Sequence, residues 1–145
     1  MPLHTGHMYL LETAQSQCEK LTILLCSQPD DPIGGDVRLE WLKKKFPQAN
    51  VVHHPDPLPR DQSDPHFWDL WRNSIRKYCP EKFDVVFSSE SYGPRLAQEL
   101  GSIHVAVDPS REKFPVSGTD IRSNPIKFWE FIPDIVRPYF ENLQN

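Results

Sequence analysis

Cysteine, basic charge and long apolar runs are all scarce in this chain of 145 residues. The three cysteines, Cys18, Cys26 and Cys79, have no metal-binding spacing, and an odd number of cysteines cannot form a complete set of disulfides. We therefore expect reduced thiols and a cytoplasmic protein. No apolar run approaches the roughly 18 residues that a membrane-spanning helix needs, and no segment has the pattern of a signal peptide. The sequence thus predicts no contact with a membrane.

The formal net charge of −4 argues against binding to nucleic acid, because surfaces that bind a long polyanion are usually strongly basic. A small polyanion would have to be bound by a local cluster of basic or hydrogen-bond-donating groups. The length and the hydrophobic fraction of 38% are typical of one globular domain, predicted over residues 1–145. The sequence does not determine the oligomeric state, and a homo-oligomer stays open.

Helical and strand-like patterns alternate along the chain. Short apolar runs predict strands over residues 21–26, 51–53, 83–87 and 103–107. Apolar periodicity and turn residues predict helices over residues 6–18, 36–46, 64–78, 94–100, 125–131 and 134–143, with Asp36 and Asp64 as N-caps. His53 and His54 end the second strand, and we expect both to be solvated. This order predicts an α/β fold, in which a parallel sheet is covered by helices on both faces.

Two histidines frame a glycine near the start of the chain, in the segment His4-Thr5-Gly6-His7. The apolar residues that follow recur at helical spacing, so the segment is predicted to lie at the N-terminus of the first helix. Backbone N–H groups and the helix dipole favour phosphate at such a terminus. Imidazole can donate a hydrogen bond to a phosphate oxygen. Taken alone, the pattern is also compatible with a metal site or with two incidental surface histidines.

A second polar segment, Ser117-Gly118-Thr119-Asp120-Ile121-Arg122, follows the last predicted strand and also opens a helix. Its hydroxyl and backbone N–H groups can bind an anion, and Arg122 lies one turn further along with a forked donor. Alone, this is equally the pattern of an ordinary capped helix. In parallel α/β sheets, however, ligands bind beyond the carboxyl ends of the strands, and both motifs are predicted to lie there. Together they favour a site that binds a triphosphate from two sides.

The first motif resembles the HxGH signature of the nucleotidyltransferase superfamily, and SGTDIR resembles its second signature, SGTxIR. The longer stretches PLHTGHMYLL, Asp108-Pro109 and SGTDIRSNPIKFWEFIP resemble one subgroup. That subgroup is the nicotinamide-nucleotide adenylyltransferase domain of bacterial bifunctional proteins that also carry a ribosylnicotinamide kinase. The resemblance covers essentially the whole chain. It implies a Rossmann-like fold and an adenylyltransferase of NAD biosynthesis.

The resemblance also implies roles for individual residues around ATP. His4 and His7 would contact the phosphates and stabilise charge on the departing pyrophosphate, and Arg122 would act with them. Ser117 and Thr119 would hold the β- and γ-phosphates. Three further residues of the implied ATP site are Gly6, Gly118 and Arg38. Mg²⁺ would be held mainly by the phosphates, with no metal site formed by side chains.

The nicotinamide mononucleotide, the second implied substrate, would lie near two tryptophans. Trp71 matches the position where the family places an aromatic ring against the nicotinamide, and Trp68 is the second choice. A cationic ring favours an electron-rich indole face. From helical spacing alone, both tryptophans would instead belong to the core of their helix. Ser88 and Ser89 follow a strand and are candidates to line the same subsite, against the alternative of an ordinary turn.

The chain departs from the family at its start. Family members begin with a hydrophobic strand that runs into G-[KR]-F before the HxGH motif, whereas this chain begins Met1-Pro2-Leu3-His4. The family's first, central strand is therefore expected to be absent, and the domain to be truncated at its N-terminus relative to the family. We expect the natural protein to be longer; the alternative is a shortened and inactive relative. No GxxxxGK[ST] segment occurs, so no kinase domain is predicted in the chain.

Two other functions are compatible with the motifs. One is adenylyl or cytidylyl transfer to another phosphorylated acceptor, such as nicotinate mononucleotide, because the two signatures do not select the acceptor. The other is a nucleotide-sensing module that has kept the pocket without catalysis. The tryptophan pair and the SNPIKFWEFIP stretch favour nicotinamide mononucleotide as the acceptor.

Overall fold

Short parallel strands alternate with helices in the computed structural model, which describes residues 2–144. The chain runs α1 (Thr5–Gln17), β1 (Thr22–Cys26), α2 (Gly35–Lys45), β2 (Asn50–His54), α3 (Phe67–Tyr78), β3 (Val85–Ser88), α4 (Gly93–Leu100), β4 (Ile103–Ala106), α5 (Gly118–Ser123), a 3₁₀ turn (Trp129–Phe131) and α6 (Arg137–Gln144). None of the helices in these residues is long and apolar enough to cross a membrane. The predicted α/β, Rossmann-like class is confirmed.

The strands form two parallel pairs rather than one continuous sheet. β1 pairs with β2 and β3 pairs with β4, each in parallel. Among residues 2–144 no strand joins β1 to β3.

Two layers of helices cover opposite faces of the strands. On β1, Ile23 and Leu25 pack into a core cluster with Trp41 of α2 and Ile121 of α5, whereas Leu24 points into a second cluster with Ile75 of α3 and Leu100 of α4. This alternation follows from the two-residue period of a strand. Helices on both faces, as predicted, leave the carboxyl ends of the strands as the edge where loops and helix N-termini gather.

Two glycines let helices start directly against strand ends. A Cβ on Gly35 would lie 2.6 Å from both His53 Nε2 and Ser27 Oγ, and a Cβ on Gly93 would lie 2.4 Å from His104 Nε2. Ser27 Oγ and His53 Nε2 are themselves hydrogen-bonded at 2.6 Å. Only a residue without a side chain allows so close an approach. These contacts fix the N-termini of α2 and α4 at the edge where ligands are expected.

Several predicted element boundaries are wrong. Asp36 lies in the first turn of α2, whose N-cap is Gly34 with no side-chain cap. Asp64 accepts a hydrogen bond from His66 N in a turn before α3, so that helix starts three residues later than predicted. Such local side-chain bonds compete with helix formation. The same competition at Asn124, which accepts from Lys127 N, leaves only a 3₁₀ turn where a helix was predicted over residues 125–131.

The expectation that His53 and His54 are solvated is wrong for His54, whereas His53 is half-buried. His54 is wholly buried, and its Nε2 lies 2.6 Å from Ser74 Oγ of α3. Its ring contacts the rings of Trp71 and Tyr78. The alternation of β2 places His54 towards α3, where Ser74 satisfies Nε2 while Nδ1 is buried without a hydrogen-bond partner.

Candidate active site

The two histidines of the first motif cap α1 together. His4 is the N-cap residue, and its Nδ1 accepts hydrogen bonds from Gly6 N at 3.0 Å and His7 N at 3.4 Å. His7 Nδ1 accepts in return from His4 N at 3.3 Å. This is the geometry of a capping box, with imidazole nitrogens in place of the usual hydroxyl and carboxylate. The predicted proximity of the two imidazoles is confirmed.

This cap also orients the reactive nitrogens. Because each Nδ1 accepts from a backbone N–H, the neutral rings must carry their proton on Nε2. The two rings stack with centroids 3.8 Å apart. Gly6 allows the stack to sit on the first turn, since a Cβ there would lie 2.8 Å from His4 Cε1. The cap thus sets the tautomers of two stacked rings at a helix N-terminus, and the buried His7 ring also hydrogen-bonds to the backbone of Pro2.

Both imidazoles are held neutral. Burial, reinforced by the positive charge of Arg111, lowers the pKa of His4 to about 4, and Asp120 acts in the opposite sense. Burial also places the pKa of His7 well below its usual value, with the neighbouring His4 and Arg111 adding to the effect. A bound polyanion would favour the protonated forms, because a nearby negative charge raises the pKa of a histidine.

The second motif uses the same capping device at α5. Ser117 is the N-cap residue; its Oγ accepts from Asp120 N at 3.1 Å, and Asp120 Oδ2 accepts from Ser117 N at 3.0 Å. The Ser117 hydroxyl hydrogen is not used in this box, so the group can still donate to an anion. Asp120 lies close enough to act on the charge of His4. The structure thus brings the two sequence motifs to one site.

Arg122 and Thr119 lie on the next part of α5. Arg122 Nη2 donates to Thr119 Oγ1 at 3.4 Å, a long hydrogen bond that links the two side chains. Arg122 makes further contacts within the described structure. Gly118 and Thr119 form the first turn of α5. The predicted role of these residues towards phosphate stays a prediction.

Arg38 is buried rather than open to solvent. Its Nη2 donates to Asp31 Oδ2 at 2.7 Å, and its Nε donates to Ile33 O at 3.1 Å. The two side chains of this ion pair are 8% and 9% exposed. Asp31 also accepts from Gln28 N, so the carboxylate fixes the loop between β1 and α2. Sequence reasoning did not find Asp31, because no spacing rule links an acid in a loop to an arginine seven residues away.

The two tryptophans occupy different surroundings. Trp71 donates from Nε1 to Pro59 O at 2.9 Å and stacks on His54 with centroids 6.0 Å apart. Trp68 lies under the guanidinium of Arg95, which is 5.4 Å from its ring centroid. Trp71 thus secures the long loop before α3 while one of its faces covers His54. A contact of either ring with a nicotinamide stays a prediction.

Ser88 and Ser89 make local hydrogen bonds at the end of β3. Ser88 Oγ accepts from Glu90 N at 2.9 Å, and Ser89 Oγ donates to Val107 O. These contacts tie the loop after β3 to the end of β4. Their place at the carboxyl edge agrees with the predicted subsite, whose ligand contacts stay a prediction.

One basic residue of the site was missed from the sequence. Arg111 lies in the loop between β4 and α5 and acts on the pKa values of both histidines. Its backbone has a φ of 55°, in the left-handed region. The segment Asp108-Pro109 marked this loop, but no periodicity could show that a residue in an irregular loop would reach α1.

No group of three or more histidine, cysteine or acidic side chains in residues 2–144 is arranged to hold a metal ion. The predicted site needs none, because Mg²⁺ is bound in many phosphate-transfer sites chiefly through substrate phosphates and water.

Comparison with known proteins places this geometry in context. No protein-family model matches the chain. The trifunctional NAD biosynthesis/regulator protein NadR of Escherichia coli is 36% identical over 157 aligned residues, which cover 96% of this chain and 38% of that protein. The nicotinamide-nucleotide adenylyltransferase of Thermococcus onnurineus is 28% identical, with coverage of 99% and 79%. The corresponding enzyme of Pyrococcus abyssi is 29% identical, with coverage of 99% and 80%.

The chain therefore spans 38% of the length of the NadR protein and about four fifths of the length of the archaeal proteins. Both groups align with nearly the whole chain. These matches agree with the resemblance that the two motifs indicated: over nearly its whole length the chain is similar to proteins named as NadR and as nicotinamide-nucleotide adenylyltransferases.

Proposed function

We propose that this protein is a nicotinamide-nucleotide adenylyltransferase, which transfers AMP from ATP to nicotinamide mononucleotide and releases NAD and pyrophosphate. The observation that carries the proposal is a pair of capped helix N-termini, one with stacked histidines and one with a serine hydroxyl, on helices that share one core cluster. Adenylyltransferases aligned over nearly the whole chain support the choice of reaction.

The phosphates of ATP bind, in this proposal, between α1 and α5. The Nε2–H groups of His4 and His7 donate to phosphate oxygens, and the N-terminus of α1 adds the field of its helix dipole. Ser117, Thr119 and Arg122 bind the β- and γ-phosphates from the other side. Since both histidines are neutral before ATP binds, the empty site does not carry two adjacent imidazolium charges.

The reaction is a direct displacement. An oxygen of the mononucleotide 5′-phosphate attacks the α-phosphorus of ATP, and the bond from that phosphorus to the oxygen bridging the α- and β-phosphates breaks. The electron pair leaves on pyrophosphate, whose developing charge is stabilised by the histidines and Arg122. Positioning of the two phosphates supplies the remaining acceleration, and no covalent enzyme intermediate is required. Mg²⁺, held chiefly by the ATP phosphates and water, would reduce the charge repulsion between the phosphates.

The nicotinamide mononucleotide is proposed to bind near the carboxyl ends of β2 and β3. Trp71 offers an indole face in this region, and Ser88 and Ser89 offer hydroxyl groups. Trp71 is already oriented by its bond to Pro59 O and by its contact with His54. A fixed ring loses little conformational freedom when it stacks on a ligand.

We also propose that one further strand can fit between β1 and β3. Both strand pairs contribute to the second core cluster, through Leu24 of β1 and Val86 of β3. A strand that is hydrogen-bonded to both would join the pairs into one sheet and remove two edges with unpaired backbone groups. A form that carries the family's leading strand before Met1 is expected to have a higher thermal unfolding midpoint than the chain of 145 residues. Equal melting temperatures would contradict this part of the proposal.

The proposal is tested by measuring NAD formation from ATP, MgCl₂ and nicotinamide mononucleotide, with nicotinate mononucleotide as the competing acceptor. Wild-type protein is expected to form NAD faster than the nicotinate product. His7→Ala is expected to lower kcat by about 100-fold or more, a typical effect of removing a group that stabilises transition-state charge. Lys82→Ala, an exposed change at the amino end of β3, serves as the matched control. ATP binding without any product would identify a sensor and refute the enzymatic proposal.

A further inference from the structure

Arg111 holds a backbone conformation that arginine seldom adopts. Two residues other than glycine have positive φ in the described structure, Asp108 at 44° and Arg111 at 55°. Asp is comparatively well tolerated there, whereas a long side chain with no local hydrogen bond to its own backbone is not. A conformation of this kind persists only where surrounding contacts enforce it, and such positions cluster at functional sites.

The contacts that enforce it come from Asp108. Its Oδ1 accepts from Glu112 N at 3.1 Å and its Oδ2 accepts from Lys113 N at 3.0 Å, while its carbonyl accepts from Arg111 N at 3.0 Å. The Asp108 carboxylate thus holds the segment from Asp108 to Lys113 in a tight turn. Arg111 lies within this turn, and its side chain is about half exposed.

The loop lies against the start of α1. The rings of Phe114 and Tyr9 have centroids 5.8 Å apart, and Lys113 Nζ is 5.4 Å from the Tyr9 ring centroid. Phe114 O lies 4.0 Å from the position of a Cβ on Gly6. These contacts keep the loop next to the histidine cap, and the guanidinium of Arg111 acts on both imidazoles.

The guanidinium has only a weak partner in the structure. Its nearest carboxylate is Glu90, at 3.7 Å, which is too long for a hydrogen bond. Both side chains of this pair are about half exposed, at 48% and 49%. An exposed ion pair of this kind contributes little to stability. Stabilisation of the fold therefore does not account for the strained conformation.

We propose that Arg111 is a phosphate-binding residue, which the loop folded around Asp108 presents to the polyanion held by His4 and His7. The five donors of its guanidinium can bind phosphate oxygens in pairs, which a single imidazole cannot do. Glu90 holds the side chain loosely until the anion arrives. The inference rests on the proposed function for the identity of the anion, the triphosphate of ATP, but its binding chemistry requires only a short polyphosphate.

The experiment measures binding of inorganic tripolyphosphate by calorimetry, together with the thermal unfolding midpoint of each variant. Arg111→Gly removes the charge and also removes the strain, because glycine adopts a φ of 55° freely. We expect its dissociation constant for tripolyphosphate to rise about tenfold or more, with an unfolding midpoint equal to or above that of wild type. The dissociation constant of Arg111→Lys for tripolyphosphate is expected to lie between those of wild type and Arg111→Gly. Glu90→Gln is expected to bind at least as tightly as wild type, and Lys82→Ala controls for loss of one charge.

Three results would each overturn the inference. They are an unchanged affinity of Arg111→Gly for tripolyphosphate, an equal loss of affinity in Lys82→Ala, and no binding of tripolyphosphate to wild type. NAD formation measured on the same samples separates this result from the proposed function. If wild type forms NAD and Arg111→Gly does so with the same KM for ATP, only the role of Arg111 fails. If tripolyphosphate binding depends on Arg111 but wild type forms no NAD, the role of Arg111 stands and the proposed reaction fails.

Discussion

Replacing Gly6 by alanine separates the stability of α1 from the geometry of its histidine cap. The new Cβ would lie 2.8 Å from His4 Cε1 and 3.0 Å from His4 Nδ1, so the buried imidazole has to move. Movement of the ring breaks its bonds to Gly6 N and His7 N, which costs about 1 kcal/mol for loss of an N-cap. Alanine in turn stabilises α1 by up to about 1 kcal/mol, because its helix propensity is higher than that of glycine. The two effects oppose each other, and the free energy of unfolding should change by less than about 1 kcal/mol.

The effect on anion binding is expected to be larger, because nothing offsets it. A hydrogen bond to a charged group contributes about 1.5–3 kcal/mol, so misplacing the Nε2–H of His4 should weaken tripolyphosphate binding about ten- to a hundredfold. Chemical denaturation gives the stability and calorimetry gives the affinity. Gly34→Ala is the control, since a Cβ at that helix start meets nothing within 4 Å. Wild-type affinity in Gly6→Ala, or a loss of stability far above 1 kcal/mol, would refute the reasoning about the cap.

Three further predictions follow from the geometry. Gly35→Ala would place a Cβ 2.6 Å from two buried polar atoms and should lower the free energy of unfolding by about 1–3 kcal/mol, as overpacking does, whereas Gly34→Ala should change it far less in the same denaturation experiment. Because the pKa of His4 is about 4 when folded and 6.5 when unfolded, the unfolded chain binds more protons between these values, and stability should fall by up to about 3 kcal/mol as the pH falls from 6.5 to 4. His4→Asn, which keeps a capping side chain, should make this loss of stability smaller, while His7, whose pKa is also lowered by burial, keeps its own contribution; an unchanged profile would show that His4 contributes nothing to it. Trp71→Ala should raise the KM for nicotinamide mononucleotide more than the KM for ATP; equal changes in a steady-state assay, or loss of folding by circular dichroism, would favour a purely structural role.

Periodic features of this protein could be predicted from its sequence. The strands β1 to β4 and the helices α1 to α4 follow apolar repeats, and their alternation is enough to predict parallel pairing. Gly101, with a φ of 70°, closes α4 as expected, because glycine is the residue that most readily takes the left-handed conformation at a helix C-terminus. The pairing of the histidines followed from their spacing at a helix start.

Features that depend on local competition or on long-range contacts could not be predicted. Asp36 and Asp64 both have the sequence of an N-cap, but Asp36 lies inside the first turn of α2 and Asp64 lies in a turn before α3, which no pattern specifies. The ion pair of Arg38 with Asp31 and the burial of His54 against Ser74 depend on how loops and helices pack. Arg111 is the clearest case, since its importance lies in a backbone angle and in the approach of its loop to α1. The motifs indicated the site, and the three-dimensional structure was needed to find the residues that surround it.

The most direct test of the central claim follows the fate of two labelled phosphates. ATP labelled at the α-phosphate and ATP labelled at the γ-phosphate are incubated separately with nicotinamide mononucleotide, Mg²⁺ and either wild-type protein or His7→Ala. Adenylyl transfer predicts that the α label enters NAD and that the γ label leaves in pyrophosphate, with both rates reduced about 100-fold or more by loss of His7. Transfer of the γ label to the mononucleotide, or retention of both labels in ATP by wild-type protein, would contradict the account.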